Sequence, residues 1–243
     1  MTARTVLVEK EWEKTVSAPS PQDGPAAVLW DMDGTLVDSE KLWDVALYET
    51  SEWLGAKLSD EQRSTLVGSN MDATATYLLE VAGREVTPEA IEEVGAAIRD
   101  RTAGLFDDPL PWRPGAREAL AAVRAAGIPS ALVTSTERAL TDLALKTIGR
   151  EFFDVTVCGD EVGGLNKPHP RPYRLAAELL GVDPARCVAV EDSPPGTESA
   201  ETAGCVVLVI PNDVPVEPGE RRVFRSSLVG VDVATLSSLV AGW

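Results

Sequence analysis

The stretch AVLWDMDGTLVDSE, Ala27 to Glu40, decides how the rest of the chain is read. Apolar residues run without alternation up to Trp30, then Asp31, Met32, Asp33, Gly34 and Thr35 follow. An unbroken apolar run of this length reads as a strand buried on both faces. Residues two apart on a strand leave the same side, so Asp31 and Asp33 point into one space. Like charges that close repel, and each raises the other's pKa. Either a cation sits between them or one of them holds a proton, and both answers belong to a functional site. A calcium loop counted from Leu29 would also place Asp31, Asp33, Gly34 and Glu40 in register. Its first ligand would be a leucine and its flank a strand rather than a helix, so the spacing does not fit.

Outward from this stretch the chain divides in two. Beyond Trp112, helix-like and strand-like segments alternate: REALAAVRAAG, IPSALVT, LTDLALKTIG, FDVTVCG, RPYRLAAELLG, CVAVED, GTESAETAG and CVVLVIP. Such alternation predicts right-handed crossovers and a parallel sheet between two helical layers. Residues 41–109 contain no convincing strand; LWDVALYETSEWLG, SDEQRSTLVG, NMDATATYLLEVAG and TPEAIEEVGAAIRDRTAGLF all read as helices, with SDEQ and TPEA as helix starts. The expected organisation is an α/β core over 26–40 and 110–243, a helical insert over 41–109 and a flexible extension over 1–25. A short helix at Val6–Val16 is the minor alternative there.

Ligands of open parallel sheets bind beyond the carboxyl ends of the strands. Polar residues gather at those ends: Asp31 and Asp33, then Thr134, Ser135 and Thr136, then Glu191, Asp192 and Ser193, with Lys167 shortly after a further strand. The net charge is −17, from 39 acidic against 22 basic residues. With no basic stripe, nucleic acid is excluded as a partner on electrostatic grounds. An anionic substrate would need a locally positive site, made by a metal, a lysine or backbone amides. No apolar run approaches the ~20 residues of a membrane span, and the N-terminal stretch lacks the apolar segment of a secretory signal. Cys158, Cys187 and Cys205 lie in or beside apolar runs, as buried reduced thiols of a cytoplasmic protein would. His169 is the only histidine and leaves no basis for a His-based triad or zinc site.

With these residues in hand, the sequence from about residue 26 onward resembles the haloacid dehalogenase superfamily, within it the β-phosphoglucomutase and phosphoglycolate-phosphatase-like group. The four motifs stand in order: DMDGT, Thr134 after an apolar strand, Lys167 in NKPHP, and EDS at Glu191–Ser193. The resemblance implies a Rossmann-like core with an inserted all-helical cap, acting as a monomer on a small phosphorylated metabolite. It implies Asp31 as the nucleophile that forms an aspartyl-phosphate, and Asp33 as acid for the leaving oxygen and base for the water. It further implies Mg²⁺ held by Asp31, the Asp33 main-chain carbonyl and Asp192, with Glu191 assisting. Thr134, Ser135, Lys167 and the amides of Met32 and Asp33 would hold the phosphoryl oxygens.

Reaction type should rest with the cap. Members like β-phosphoglucomutase carry an arginine just after a glycine in the first cap loop, which grips a second phosphate. Here Gly68 is followed by Ser69, Asn70 and Met71. That gap argues against a sugar phosphomutase, and Asp33 against a dehalogenase. A phosphatase is expected, with Ser69 and Asn70 suited to a hydroxylated substrate such as a sugar phosphate. A non-catalytic phosphate-binding module is the reading from another class.

Overall fold

The computed structural model describes residues 24–242. The expected N-terminal extension and its Val6–Val16 helix therefore lie outside the described residues, apart from 24 and 25. Six parallel strands form one sheet: β1 Ala27–Trp30, β2 Ser130–Val133, β3 Val155–Val157, β4 Cys187–Glu191, β5 Val206–Val209 and β6 Arg222–Phe224. Their order is β3-β2-β1-β4-β5-β6. The chain winds outward from β1 in one direction and then from β4 in the other, so the crevice at the β1 end is the switch point where ligands bind.

Alternation along β1 builds the layers. Val28 and Trp30 face a cluster with Leu120 and Val123 of α5 (Ala116–Ala125), Ile148 of α6 (Arg138–Ile148) and Leu236 of α9 (Val233–Val240). Ala27 and Leu29 face the other way, onto Tyr173 and Ala176 of α7 (Arg171–Leu180) and Ala200 of α8 (Pro194–Ala203). Both faces of the strand are buried, which is why its sequence does not alternate. Trp30 is wholly buried and satisfies its indole N–H on Ser130 Oγ at 3.0 Å.

Between β1 and α5 stand four helices: α1 Glu40–Trp53, α2 Asp60–Ser64, α3 Met71–Val81 and α4 Pro88–Leu105. The two expected helix starts are real. Ser59 and Gln62 form a reciprocal capping box on α2, and Thr87 caps α4 ahead of Pro88. These helices bury a cluster of their own around Leu47, Leu78 and Ile98, and it takes in Leu140 from α6 of the core. β6 and α9 were not legible in the sequence. β6 is a three-residue edge strand, half exposed, so its residues carry no apolar run or alternation. Cys158, Cys187 and Cys205 are buried free thiols, and no described helix is long and apolar enough to cross a membrane.

Candidate active site

The strand ends converge as the alternating pattern predicts. β1 pairs with β2 and β4 in a register that sets Trp30 opposite Leu132 and Val190. Asp31 and Glu191 therefore emerge side by side, level with Val133, and Thr134 follows one residue beyond. Asp31 prolongs the ladder, donating its N–H to Val190 O at 3.0 Å. Beyond it the chain turns back, with the Leu36 and Val37 amides donating to Met32 O. The amides of Met32 and Asp33 have no hydrogen-bond partner among the described residues. The Met32 side chain packs in the core.

Lys167 is buried among the carboxylates. Its ammonium donates to Asp31 Oδ1 at 2.6 Å, Glu191 Oε1 at 2.6 Å and Val133 O at 3.0 Å, which engages all three N–H groups. Burial alone would depress this pKa, but Asp31 and Glu191 more than offset it and hold it well above the ordinary lysine value. Tyr173 donates to Glu191 Oε1 at 2.5 Å, while Glu191 Oε2 accepts from the Asp192 amide and Ser193 Oγ, each at 3.3 Å. Glu191 is thus held by four donors from the protein itself. Ser193 also caps α8.

Asp31, Glu191 and Asp192 each offer a carboxylate oxygen within 4.8 Å of the others. Burial, reinforced by Glu191 and opposed by Lys167, pushes the Asp31 carboxyl up to about 8. Burial, with Asp31 and Glu191 adding, pushes Asp192 well above the ordinary range. Gly34 makes the approach possible: its φ is +79°, and a Cβ there would lie 2.2 Å from Asp192 Oδ2. Hard oxygen donors whose charges are unfavourable alone are the donor set of a small divalent cation.

Asp33 faces the cavity from beneath the helical insert. Its Oδ1 accepts from Ser39 Oγ at 2.6 Å and Trp43 Nε1 at 3.0 Å, its Oδ2 from Thr136 Oγ1 at 2.7 Å and Thr134 Oγ1 at 3.5 Å. Ser39 and Trp43 belong to the start of α1, so the insert's first helix grips this carboxylate directly. Ser135 lines the cavity, and its hydroxyl donates to Gly68 O in the insert at 3.2 Å. Asn70 lines the cavity, yet its Oδ1 caps α3 by accepting from the Ala73 amide at 2.9 Å. Ser69 also lines the cavity. His169 sits in a loop, accepting from the Arg171 amide.

The cavity between the strand ends and helices α1 to α3 has a volume of about 70 Å³. Sequence reading missed Ser39, Trp43, Tyr173, Glu40 and Arg63 as residues of this site. Ser39 and Trp43, four apart at a helix start just after the paired aspartates, were the available signal.

Strand-end aspartates, a buried lysine and a second acidic pair beneath a helical insert define a class of α/β enzymes built around a carboxylate. The model of the haloacid dehalogenase-like hydrolases matches residues 25–204, and the chain belongs to that family. The chain is 31% identical over 218 residues to hexitol phosphatase B of Escherichia coli (strain K12), covering 88% of this chain and 94% of that protein. It is 34% identical over 179 residues to a phosphorylated carbohydrates phosphatase of Thermotoga maritima, covering 73% and 81%. Among solved structures, a mutant of CbbY from Rhodobacter sphaeroides, in complex with xylulose-(1,5)bisphosphate, superposes with a TM-score of 0.77 at 29% identity. That match covers 87% of this chain and 99% of CbbY.

Proposed function

We propose that this protein is a Mg²⁺-dependent phosphatase of a small, hydroxyl-rich phosphorylated metabolite, working through an aspartyl-phosphate on Asp31. The observation that carries this reading is the setting of Asp31. One of its oxygens is pinned by Lys167, and the other accepts no hydrogen bond among the described residues, with Asp33 two residues on and both aspartates lining the cavity. The names of the relatives, phosphatases of hexitols and phosphorylated carbohydrates, support it.

The free Asp31 oxygen attacks phosphorus, forming an acyl-phosphate bond as the ester P–O bond breaks. Asp33 gives its proton to the departing alkoxide, then takes one from the water that attacks the same phosphorus and frees inorganic phosphate and Asp31. The hydroxyls of Ser39 and Thr136 suit both states of Asp33, since a hydroxyl can donate to the carboxylate or accept from the acid. Lys167 turns an N–H from Asp31 toward the phosphoryl oxygens, joined by Thr134 and the amides of Met32 and Asp33. Asp31, the Asp33 carbonyl and Asp192 would hold Mg²⁺, with Glu191 behind them as the anchor of Lys167. The ion supplies charge neutralisation for the carboxylates and the phosphoryl group. The helices over 41–109 act as the cap that keeps bulk water out.

Asp31→Asn keeps the shape and removes the nucleophile. Phosphate release from p-nitrophenyl phosphate should fall by several orders of magnitude in a folded protein. A variant retaining more than about a tenth of the rate, ~1.4 kcal/mol of barrier, would show that Asp31 is not the nucleophile.

A further inference from the structure

The wall contributed by α1 and α2 holds a charged pair that the hydrolytic chemistry leaves unused. Arg63 is only 6% exposed. Its Nη2 donates to Glu40 Oε2 at 2.5 Å and its Nε to Asp44 Oδ1. Arg63 and Glu40 line the same cavity as Asp31 and Asp33, while Asp44 is not among the lining residues and its side chain is 36% exposed. A guanidinium has five N–H donors. Arg63 Nη1 and Glu40 Oε1 have no partner among the described residues. The pair therefore offers a donor and an acceptor side by side in a cavity that the apolar Trp43, Leu47 and Met71 also line.

We infer that Glu40 and Arg63 form the leaving-group subsite, and that it selects an uncharged polyhydroxylated chain over one carrying a second phosphate. This rests on the phosphatase reading. A hydroxyl donates and accepts, so it can bridge Glu40 Oε1 and Arg63 Nη1. A second phosphate only accepts, and it would set its charge beside the Glu40 carboxylate. The guanidinium offers it little attraction, because two carboxylates already engage that one cation. The other cation lining the cavity, Lys167, belongs to the reacting phosphoryl group. The absence of an arginine after Gly68 points the same way. By this reasoning the chain differs from the CbbY that binds xylulose-(1,5)bisphosphate.

The test compares kcat/KM, with Mg²⁺, for glucitol 6-phosphate, fructose 1,6-bisphosphate and p-nitrophenyl phosphate. The native protein should favour the hexitol monophosphate over the bisphosphate by at least about tenfold, the scale of one well-placed polar contact. Glu40→Gln should reduce turnover of glucitol 6-phosphate at least about tenfold more than that of p-nitrophenyl phosphate, which has no hydroxyls to bind. Asp44→Asn leaves the cavity lining intact and lightens the neutralisation of Arg63, so it should narrow the preference against the bisphosphate. Equal losses on both monophosphates in Glu40→Gln, or a native protein indifferent to the second phosphate, would overturn the inference and leave the pair as a tie between α1 and α2. No turnover of p-nitrophenyl phosphate by the native protein would instead refute the phosphatase reading. The subsite is then judged in Asp31→Asn protein, by calorimetric binding of glucitol 6-phosphate against inorganic phosphate. Addition of Glu40→Gln should weaken only the former, and an equal effect on both rejects the subsite.

Discussion

Gly34→Ala adds one methyl group where the site is tightest. At φ +79° an L-residue is strained by about 1–2 kcal/mol. The larger effect is local: the new Cβ would stand 2.2 Å from Asp192 Oδ2 and 3.0 Å from its Cγ. An ordinary contact needs more than 3 Å, so Asp192 must retreat by roughly 1 Å. It cannot do so freely, being 3% exposed and bonded to Thr35 Oγ1 at 3.1 Å. A displacement of that size in a catalytic constellation costs on the order of 10²-fold in rate. Gly34→Ala should therefore lose about 1–2 kcal/mol in denaturant unfolding and about a hundredfold in phosphatase rate. The Mg²⁺ concentration for half-maximal rate should rise as well. Unchanged Mg²⁺ dependence together with more than a tenth of the native rate would refute the placement of Asp192 in the metal site.

Stripping divalent ions should abolish phosphate release and Mg²⁺ restore it, whereas Ca²⁺, which prefers looser and higher coordination, should inhibit; full activity in excess chelator would count against the metal site. Tyr173→Phe removes one donor from the Glu191 carboxylate, a hydrogen bond to charge worth about 1.5–3 kcal/mol. At about 2–4 °C per kcal/mol, calorimetry should show a melting temperature lower by roughly 3–12 °C, and a shift under one degree would contradict the role given to Tyr173.

Much of this arrangement was readable before any coordinates. Both faces of β1 are buried, so the Ala27–Trp30 run is apolar throughout, and its end names the strand rim where Asp31 and Asp33 stand. Each of the other polar clusters follows an apolar strand directly, so Thr134, Glu191 and Asp192 could be placed from spacing alone. Residues that reach the rim from other elements left no such trace. Arg63 meets Glu40 and Asp44 only because α2 folds back on α1, and no spacing encodes that. Tyr173 reads as a core residue of α7 by periodicity, and it is one; its hydroxyl alone reaches Glu191. Ser135 reads as equivalent to Thr134 at a strand end; it lines the cavity, and its hydroxyl bonds Gly68 O of the insert, a contact no spacing encodes.

Leu140 belongs to the core helix α6, yet it is buried in the hydrophobic cluster of the inserted helices. Arg99 of α4 meets Glu137 at the start of α6, at 3.1 Å, beside it. Any motion that parts α4 from α6 must wet that leucine, which costs about 1.5–3 kcal/mol. Such a penalty holds the parted form to roughly one molecule in ten to one in two hundred. If entry to the cavity requires that motion, the rate of substrate capture is scaled down by the same fraction. Trimming Leu140 would then speed loading of the enzyme without touching a single reacting group.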